Sequence, residues 1–229
     1  IETMLDKAVT DLGCYVFVNF INPIRHEAMK TYAYEIFSEL GRVPDFSFHP
    51  MGTGGGVWGT WKGYNELAAM GVTDKVPHMV PVQPEAVCWL KRAVDSGAEV
   101  AEMYGDSTRT IAQSISGNSP LQGGRRLIRA VRESGGAAMA VSDDEILAAM
   151  VDLGHEGIGA EPSSASTVAA FKQAVKAGKI SSSDTVVCVI TGTAFKQPSV
   201  VEHIAALPKY TIRADVDQLK GLLVRLKLL

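Results

Sequence analysis

The stretch "TVVCVIT" (185–191) sets β-branched and apolar residues side by side, with no polar residue alternating between them. A strand wetted on one face alternates in polarity. An unbroken apolar run therefore predicts a strand covered on both faces, the mark of a parallel sheet packed between helices. The rest of the chain reads the same way. Extended patterns fall at 14–20 ("CYVFVNF"), 45–51, 78–83 and 137–141, and helical ones at 25–40, 57–71, 85–97, 123–136, 142–154, 163–178 and 215–229. Regular alternation of this kind predicts an α/β fold, three layers in α/β/α order around a mostly parallel sheet. Glycines at 41 and 71 stop helices, and Ser142 with Glu145 forms a capping box at the start of another. The tail from Asp215 reads as a terminal amphipathic helix packed onto the domain.

Composition narrows the function by exclusion. A formal charge of −3 over 229 residues, with no basic run, argues against a nucleic-acid partner. No apolar stretch is long enough to span a bilayer, and "IETMLDKAVTDLG" lacks the basic and apolar regions of a secretory leader. Cys14, Cys88 and Cys188 are odd in number and far apart, which points to a reducing cytoplasm. His26, His49, His78, His155 and His203 are equally scattered, so no metal site is expected.

The glycine run carries the chemistry. "GTGGGVWG" (52–59) follows a predicted strand and opens a predicted helix. Three readings fit it. Gly54-Gly55-Gly56-Val57-Trp58-Gly59 satisfies the G-x-G-x-x-G of dinucleotide folds, with Glu85 after the next strand as the ribose carboxylate of an NAD(P)-dependent oxidoreductase. A tight strand-to-helix turn with no ligand is the second. In the third, Gly52, Thr53, Gly54, Gly55 and Gly56 form a nest of N–H donors at a helix start, suited to one phosphate monoester.

Five segments, in order, resemble the fold-type II pyridoxal-phosphate enzymes, most closely their threonine synthase-like branch in the tryptophan synthase beta-like superfamily. These are "NFINPIRHEAMKTYAYEI" (19–36), "GTGGGVWGTWKGYNEL" (52–67), "GGAAMAVSDDEILAAM" (135–150), "AEPSSASTVAAF" (160–171) and "VVCVITGTAFKQP" (186–198). The resemblance implies a pyridoxal 5'-phosphate-dependent lyase or synthase of amino-acid metabolism. Its reaction would be β/γ-elimination or replacement on a hydroxy- or phospho-amino acid, in a cytoplasmic homodimer. It implies that Gly52 to Gly56 bind the cofactor phosphate and that Thr191 faces the pyridine nitrogen. The segment 111–120, with Ser116 and Gly117, would pass the cofactor ring. Glu161 would line the pocket, with Ser163 or Ser164 capping the next helix. Asn19 and Arg25 match the Asn and Arg that hold a substrate phosphate in threonine synthases.

Departures from the family pattern carry information as well. Phe20 replaces the family's Ser, and Thr53 and Gly56 replace its loop Asn residues, so the loop resembles that of the β-replacement and dehydratase branches. No segment matches the Ser-x-Lys-Asp that bears the family's Schiff-base lysine upstream, and Lys30, Lys62, Lys172 and Lys196 fall at other positions. The resemblance thus implies the C-terminal portion of such an enzyme, inactive as an isolated chain and incomplete at the N-terminal side of its large domain. Residues 1–41 would be a remnant of the small domain and crossover helix, and 42–229 the large cofactor domain. A sheet without its first strands would leave an unpaired edge. A non-catalytic binding module retaining the fold is the remaining alternative.

Overall fold

A computed structural model of the chain describes residues 2–13, 22–205 and 210–229, with side chains from residue 7 onward. The predicted strand at 14–20, with Cys14, Asn19 and Phe20, lies outside the described residues. The elements run α1 (Glu2–Leu12), α2 (Pro23–Ala28), α3 (Thr31–Leu40), β1 (Phe46–Pro50), α4 (Gly55–Ala69), β2 (His78–Pro84) and α5 (Trp89–Asp95). After these come α6 (Arg125–Glu133), β3 (Met139–Val141), α7 (Asp143–His155), α8 (Pro162–Lys176), β4 (Val186–Cys188), α9 (Pro198–Ala205) and α10 (Val216–Arg225).

The described strands form one parallel sheet in the order β3-β2-β1-β4. Alternation along β1 and β2 feeds two cores. Phe48, Val80 and Val82 pack with Ile146, Ala149 and Met150 of α7 and Ala165, Ala169 and Ala170 of α8. On the other face Met79 packs with Val57 and Trp61 of α4, Trp89 and Leu90 of α5, and Leu127 and Ile128 of α6. This is the expected α/β/α sandwich. Each fully buried large side chain in it contributes roughly 1.5–3 kcal/mol. The alanines of α8 let that helix lie close against the sheet.

Proline inside the central strand β2 has a local explanation. Val82 O accepts from Met51 N and His78 N donates to Asp45 O, so even-numbered β2 residues bond toward β1. Odd-numbered residues face the β3 side, where Met79 N donates to Ser134 Oγ at 3.1 Å. Pro81 sits on that side just before β3 begins pairing at Val82↔Met139, so its missing N–H breaks no ladder bond.

Several expectations need correction. The apolar run at 185–191 forms a strand over only three residues, Val186–Cys188, and all three are half-buried. Its place explains this: β4 pairs with β1 on one side and with no described strand on the other. Hydrophobicity along a strand thus marked an apolar environment without fixing a central position. The predicted helix at 25–40 is two helices meeting at Met29–Lys30, and the one at 85–97 is a 3-10 turn over Glu85–Val87 followed by α5. Helix α10 forms where predicted, but none of its residues is fully buried and only Leu222 and Leu223 are half-buried, against the expectation of a face packed onto the domain. Local signals held better. Gly41 ends α3 at φ 64, and Ser142 N donates to Glu145 Oε2 at 2.8 Å while Glu145 N donates to Ser142 Oγ at 3.3 Å. No helix among the described residues is long and apolar enough to cross a membrane.

Candidate functional site

A cavity of about 280 Å³ opens beyond the carboxyl end of β1, the usual ligand position in parallel sheets. Its floor is the glycine run. β1 ends at Pro50, Met51 is fully buried, and the chain turns through Gly52 and Thr53 into Gly54, the residue that caps α4. Gly54 has φ 86 and ψ 11, and a Cβ built there would lie 2.4 Å from Leu127 Cδ1. Glycine is therefore required twice over, by the left-handed backbone and by the packing beneath it. Gly54 supplies no side-chain cap, so the first-turn N–H groups of α4 keep their free ends toward the cavity, where the helix dipole favours negative charge.

Helices α2 and α3 bring Arg25, Met29 and Tyr32 to one wall of the cavity. Asn22 starts α2 by accepting from Ile24 N at 2.9 Å, with Pro23 in the first turn. The pair docks closely because α4 presents Gly59 and Gly63: added Cβ atoms would meet Met29 Cβ at 2.4 Å and Ala33 Cβ at 2.8 Å. Lys30, Lys62, Glu27 and Glu66 tie the same helices together at the surface. Lys30 and Lys62 beside Glu27 hold its carboxyl down at about 2.

The opposite wall comes from distant segments. Ser114 and Ile115 lie on a 3-10 turn, and Glu161 and Ser163 at the start of α8. Thr191 and Lys196 follow β4. An antiparallel bridge between Ala160 and Thr193, with Glu161 N donating to Gly192 O at 3.0 Å, holds the last two segments together. Glu161 is 1% exposed. Its carboxylate accepts from Ser114 Oγ at 3.1 Å and from Lys196 Nζ at 3.3 Å. Gly192 makes room for it, since a Cβ there would fall 2.0 Å from Glu161 Oε1.

Gly52, Thr53, Gly54, Gly55, Gly56, Arg25, Glu161 and Thr191 thus share one cavity. Asn19 lies outside the described residues. Ser116 and Gly117 do not line the cavity, because the 3-10 turn directs them away: Ser116 Oγ donates to Gln113 O at 3.0 Å, and Gly117 O accepts from Trp89 Nε1 at 3.0 Å. Ser114 and Ile115 take that place. Neither Ser163 nor Ser164 caps α8. Glu161 is its first flanking residue and makes no side-chain cap, and Pro162 occupies the first turn. The serines reach sideways instead, Ser163 Oγ accepting from Ser114 N at 3.1 Å and Ser164 Oγ from Gly192 N at 2.7 Å. Thr191 Oγ1 pairs with Ser164 Oγ at 3.0 Å rather than with backbone.

Lys196 is the wall residue that the sequence reading left out, and only its spacing after Thr191, in "TGTAFK", could have flagged it. Glu85 opens into a different cavity, of about 480 Å³, with Arg109 and Asp143. It does not join the glycine loop as a ribose-binding acid would.

Comparison with known proteins bears on the family and the fold. A family profile described as "Pyridoxal-phosphate dependent enzyme" matches residues 2–192. A threonine synthase of Methanosarcina acetivorans is 38% identical over 205 residues, 89% of this chain and 50% of that protein. A threonine synthase of Methanocaldococcus jannaschii is 35% identical over 211 residues, 91% of this chain and 51% of that protein. The chain spans about half the length of these curated relatives. Among solved structures, threonine deaminase isoform 2 of Solanum lycopersicum superposes with a TM-score of 0.70 at 19% identity, over 90% of this chain and 54% of that one. Serine racemase of Dictyostelium discoideum gives 0.65 at 22% identity, over 84% and 57%. The structural matches bear on the fold, which is that of fold-type II pyridoxal-phosphate enzymes.

Proposed function

Since the chain belongs to the family of pyridoxal-phosphate-dependent enzymes, we propose that it forms the phosphate-holding side of the cofactor site in an amino-acid lyase or synthase. The reaction class we assign is elimination or replacement at the β or γ carbon of a hydroxy- or phospho-amino acid. The observation that carries this reading is the glycine cradle at the start of α4, facing Thr191 across one cavity that also holds Arg25.

The residues suit the cofactor. Space above Gly56 is open, with nothing within 4 Å of an added Cβ, so a phosphate can settle against the helix start. The N–H groups there would hold the dianion, and Thr53 adds a hydroxyl to the same cradle. Thr191 would meet the ring nitrogen with a neutral hydroxyl. Arg25 would offer a guanidinium to an anionic substrate group, a geometry suited to two parallel hydrogen bonds. When bound, pyridoxal phosphate supplies the electron sink for a carbanion formed beside an amino group. The chain's own residues bind and orient; none of those named here is assigned a covalent role. The same proposal places residues 1–41 with the small domain and 42–229 in the large one, in a cytoplasmic homodimer.

Gly56→Asp tests the assignment. The open space accepts the side chain, and an acid in the first turn of a helix is tolerated or mildly favourable. Stability should change by less than about 1 kcal/mol. The affinity of the chain for pyridoxal 5'-phosphate, followed by absorbance, should fall more than about tenfold through charge repulsion. Inorganic phosphate should compete with the cofactor, and NADH should not bind. Unchanged cofactor affinity in Gly56→Asp would remove the cradle from the site. Release of phosphate or of a 2-oxo acid from a panel of hydroxy- and phospho-amino acids then tests the reaction class.

A further inference from the structure

The serine run at the start of α8 does more than fill space. Ser164 is fully buried, and its Oγ has three polar neighbours: Thr191 N at 3.1 Å, Gly192 N at 2.7 Å and Thr191 Oγ1 at 3.0 Å. A hydroxyl oxygen carries two lone pairs and one proton. Both backbone N–H groups can only donate, so together they occupy both lone pairs. The Ser164 proton is left with one partner, Thr191 Oγ1. Thr191 therefore accepts on its inner side, and its own proton is turned outward, into the cavity it lines.

We infer that Ser164 is a positioning residue: it fixes Thr191 as a hydrogen-bond donor and so makes the site select a ring nitrogen that is unprotonated. This rests on the proposed cofactor site, in which Thr191 meets the ring. The opposite polarity is the poorer fit. A protonated ring nitrogen could use only the lone pair that Thr191 keeps on its outer side, and the Thr191 proton, barred from Ser164 Oγ, would then lose the ring as its acceptor. The selectivity is thus set by two backbone N–H groups in the turn after β4 and relayed through a serine that touches no ligand.

The test compares two ligands on the full chain: pyridoxal 5'-phosphate and its 1-deaza analogue, in which C–H replaces the ring nitrogen. The cradle treats the two alike, so their affinity ratio isolates the Thr191 contact. The original chain should prefer the pyridine by roughly 2- to 12-fold, the range for one net hydrogen bond. Thr191→Val and Ser164→Ala should both bring the ratio to about one. Ser166→Ala should leave it unchanged, because Ser166 Oγ donates to Ser163 O and lies outside this relay. A merely structural role for Ser164 would weaken both ligands together and leave the ratio intact. Ser164→Ala keeping a preference that Thr191→Val loses would overturn the relay and leave the cofactor site standing. A ratio near one in the original chain, or no binding of either ligand, would overturn the site itself and the relay with it. One measurement needs no variant: the ¹⁵N resonance of ring-labelled cofactor bound to the original chain at neutral pH. An unprotonated shift is expected, and a pyridinium shift refutes the assignment.

Discussion

Replacing Gly54 with alanine should strain the loop in two separable ways. The residue lies at φ 86, where a Cβ clashes with the following carbonyl at a cost of roughly 1–2 kcal/mol. The new methyl would also sit 2.4 and 2.5 Å from the two Cδ atoms of Leu127 and 2.9 Å from its Cγ. Ordinary carbon contacts are about 3.5–4.0 Å, so the overlap exceeds about 1 Å. Leu127 cannot relieve it by swinging out, since it is 1% exposed and packed among Val57, Trp61 and Leu90. Overpacking of this kind adds roughly 1–3 kcal/mol, and reduced freedom of the unfolded chain returns about 0.5–1. The net expectation is a loss of about 1–4.5 kcal/mol.

Urea unfolding of Gly54→Ala, Leu127→Ala and the double variant separates the two costs. Leu127→Ala alone should cost about 2–5 kcal/mol by leaving a cavity. In the double variant the steric part vanishes, so the combined loss should fall short of the sum by about 1–3 kcal/mol. Gly56→Ala is the control: its φ is not positive and nothing lies within 4 Å, so it should be neutral or gain up to about 1 kcal/mol. Strict additivity, or equal effects at positions 54 and 56, would show that Leu127 does not brace the cradle.

Three other outcomes follow from the same structure. Burial lowers the pKa of His49 from 6.5 to about 4. As pH falls the unfolded chain takes up this proton first, so stability should decline by about 3 kcal/mol from this residue between 6.5 and 4; in His49→Gln, urea midpoints across that window should be flatter. Asp45 joins β1 to β4 by accepting from Thr185 N at 2.8 Å, and Lys75 with that N–H holds its carboxyl below the usual range. Its contribution is complete above the ordinary carboxylate range and lost as pH drops through the lowered value, so Asp45→Asn should show a shallower acid transition by circular dichroism. Gly192→Ala should push the Glu161 carboxylate away from Ser114 and Lys196, costing roughly 1–3 kcal/mol of stability and lowering cofactor affinity. An unshifted urea midpoint would contradict the close approach at Gly192.

The parts of this fold that were legible in the sequence are those whose cause lies within a few residues. Strand, glycine run and helix from Phe46 to Ala69 read correctly because each signal acts on its own neighbours: apolar strand residues, a left-handed glycine, an α4 start without a side-chain cap. The capping box at Ser142 and Glu145 is equally local. What stayed hidden depends on partners far along the chain. "VVC" is apolar whether a strand is central or at an edge, and only the register Phe46↔Val186 puts it beside β1. Serine at a helix start serves as a cap or as a bridge with the same composition. Here Pro162 takes the first turn, the Ala160–Thr193 bridge draws the turn after β4 against α8, and Ser164 finds two N–H donors 27 and 28 residues away. Lys196 had only its spacing after Thr191 to mark it, and it becomes a wall residue because Glu161 is buried opposite it. The site was therefore half readable: its glycine cradle is a local motif and Thr191 and Glu161 came with the family resemblance, while Ser114 and Lys196 join the facing wall through tertiary contacts.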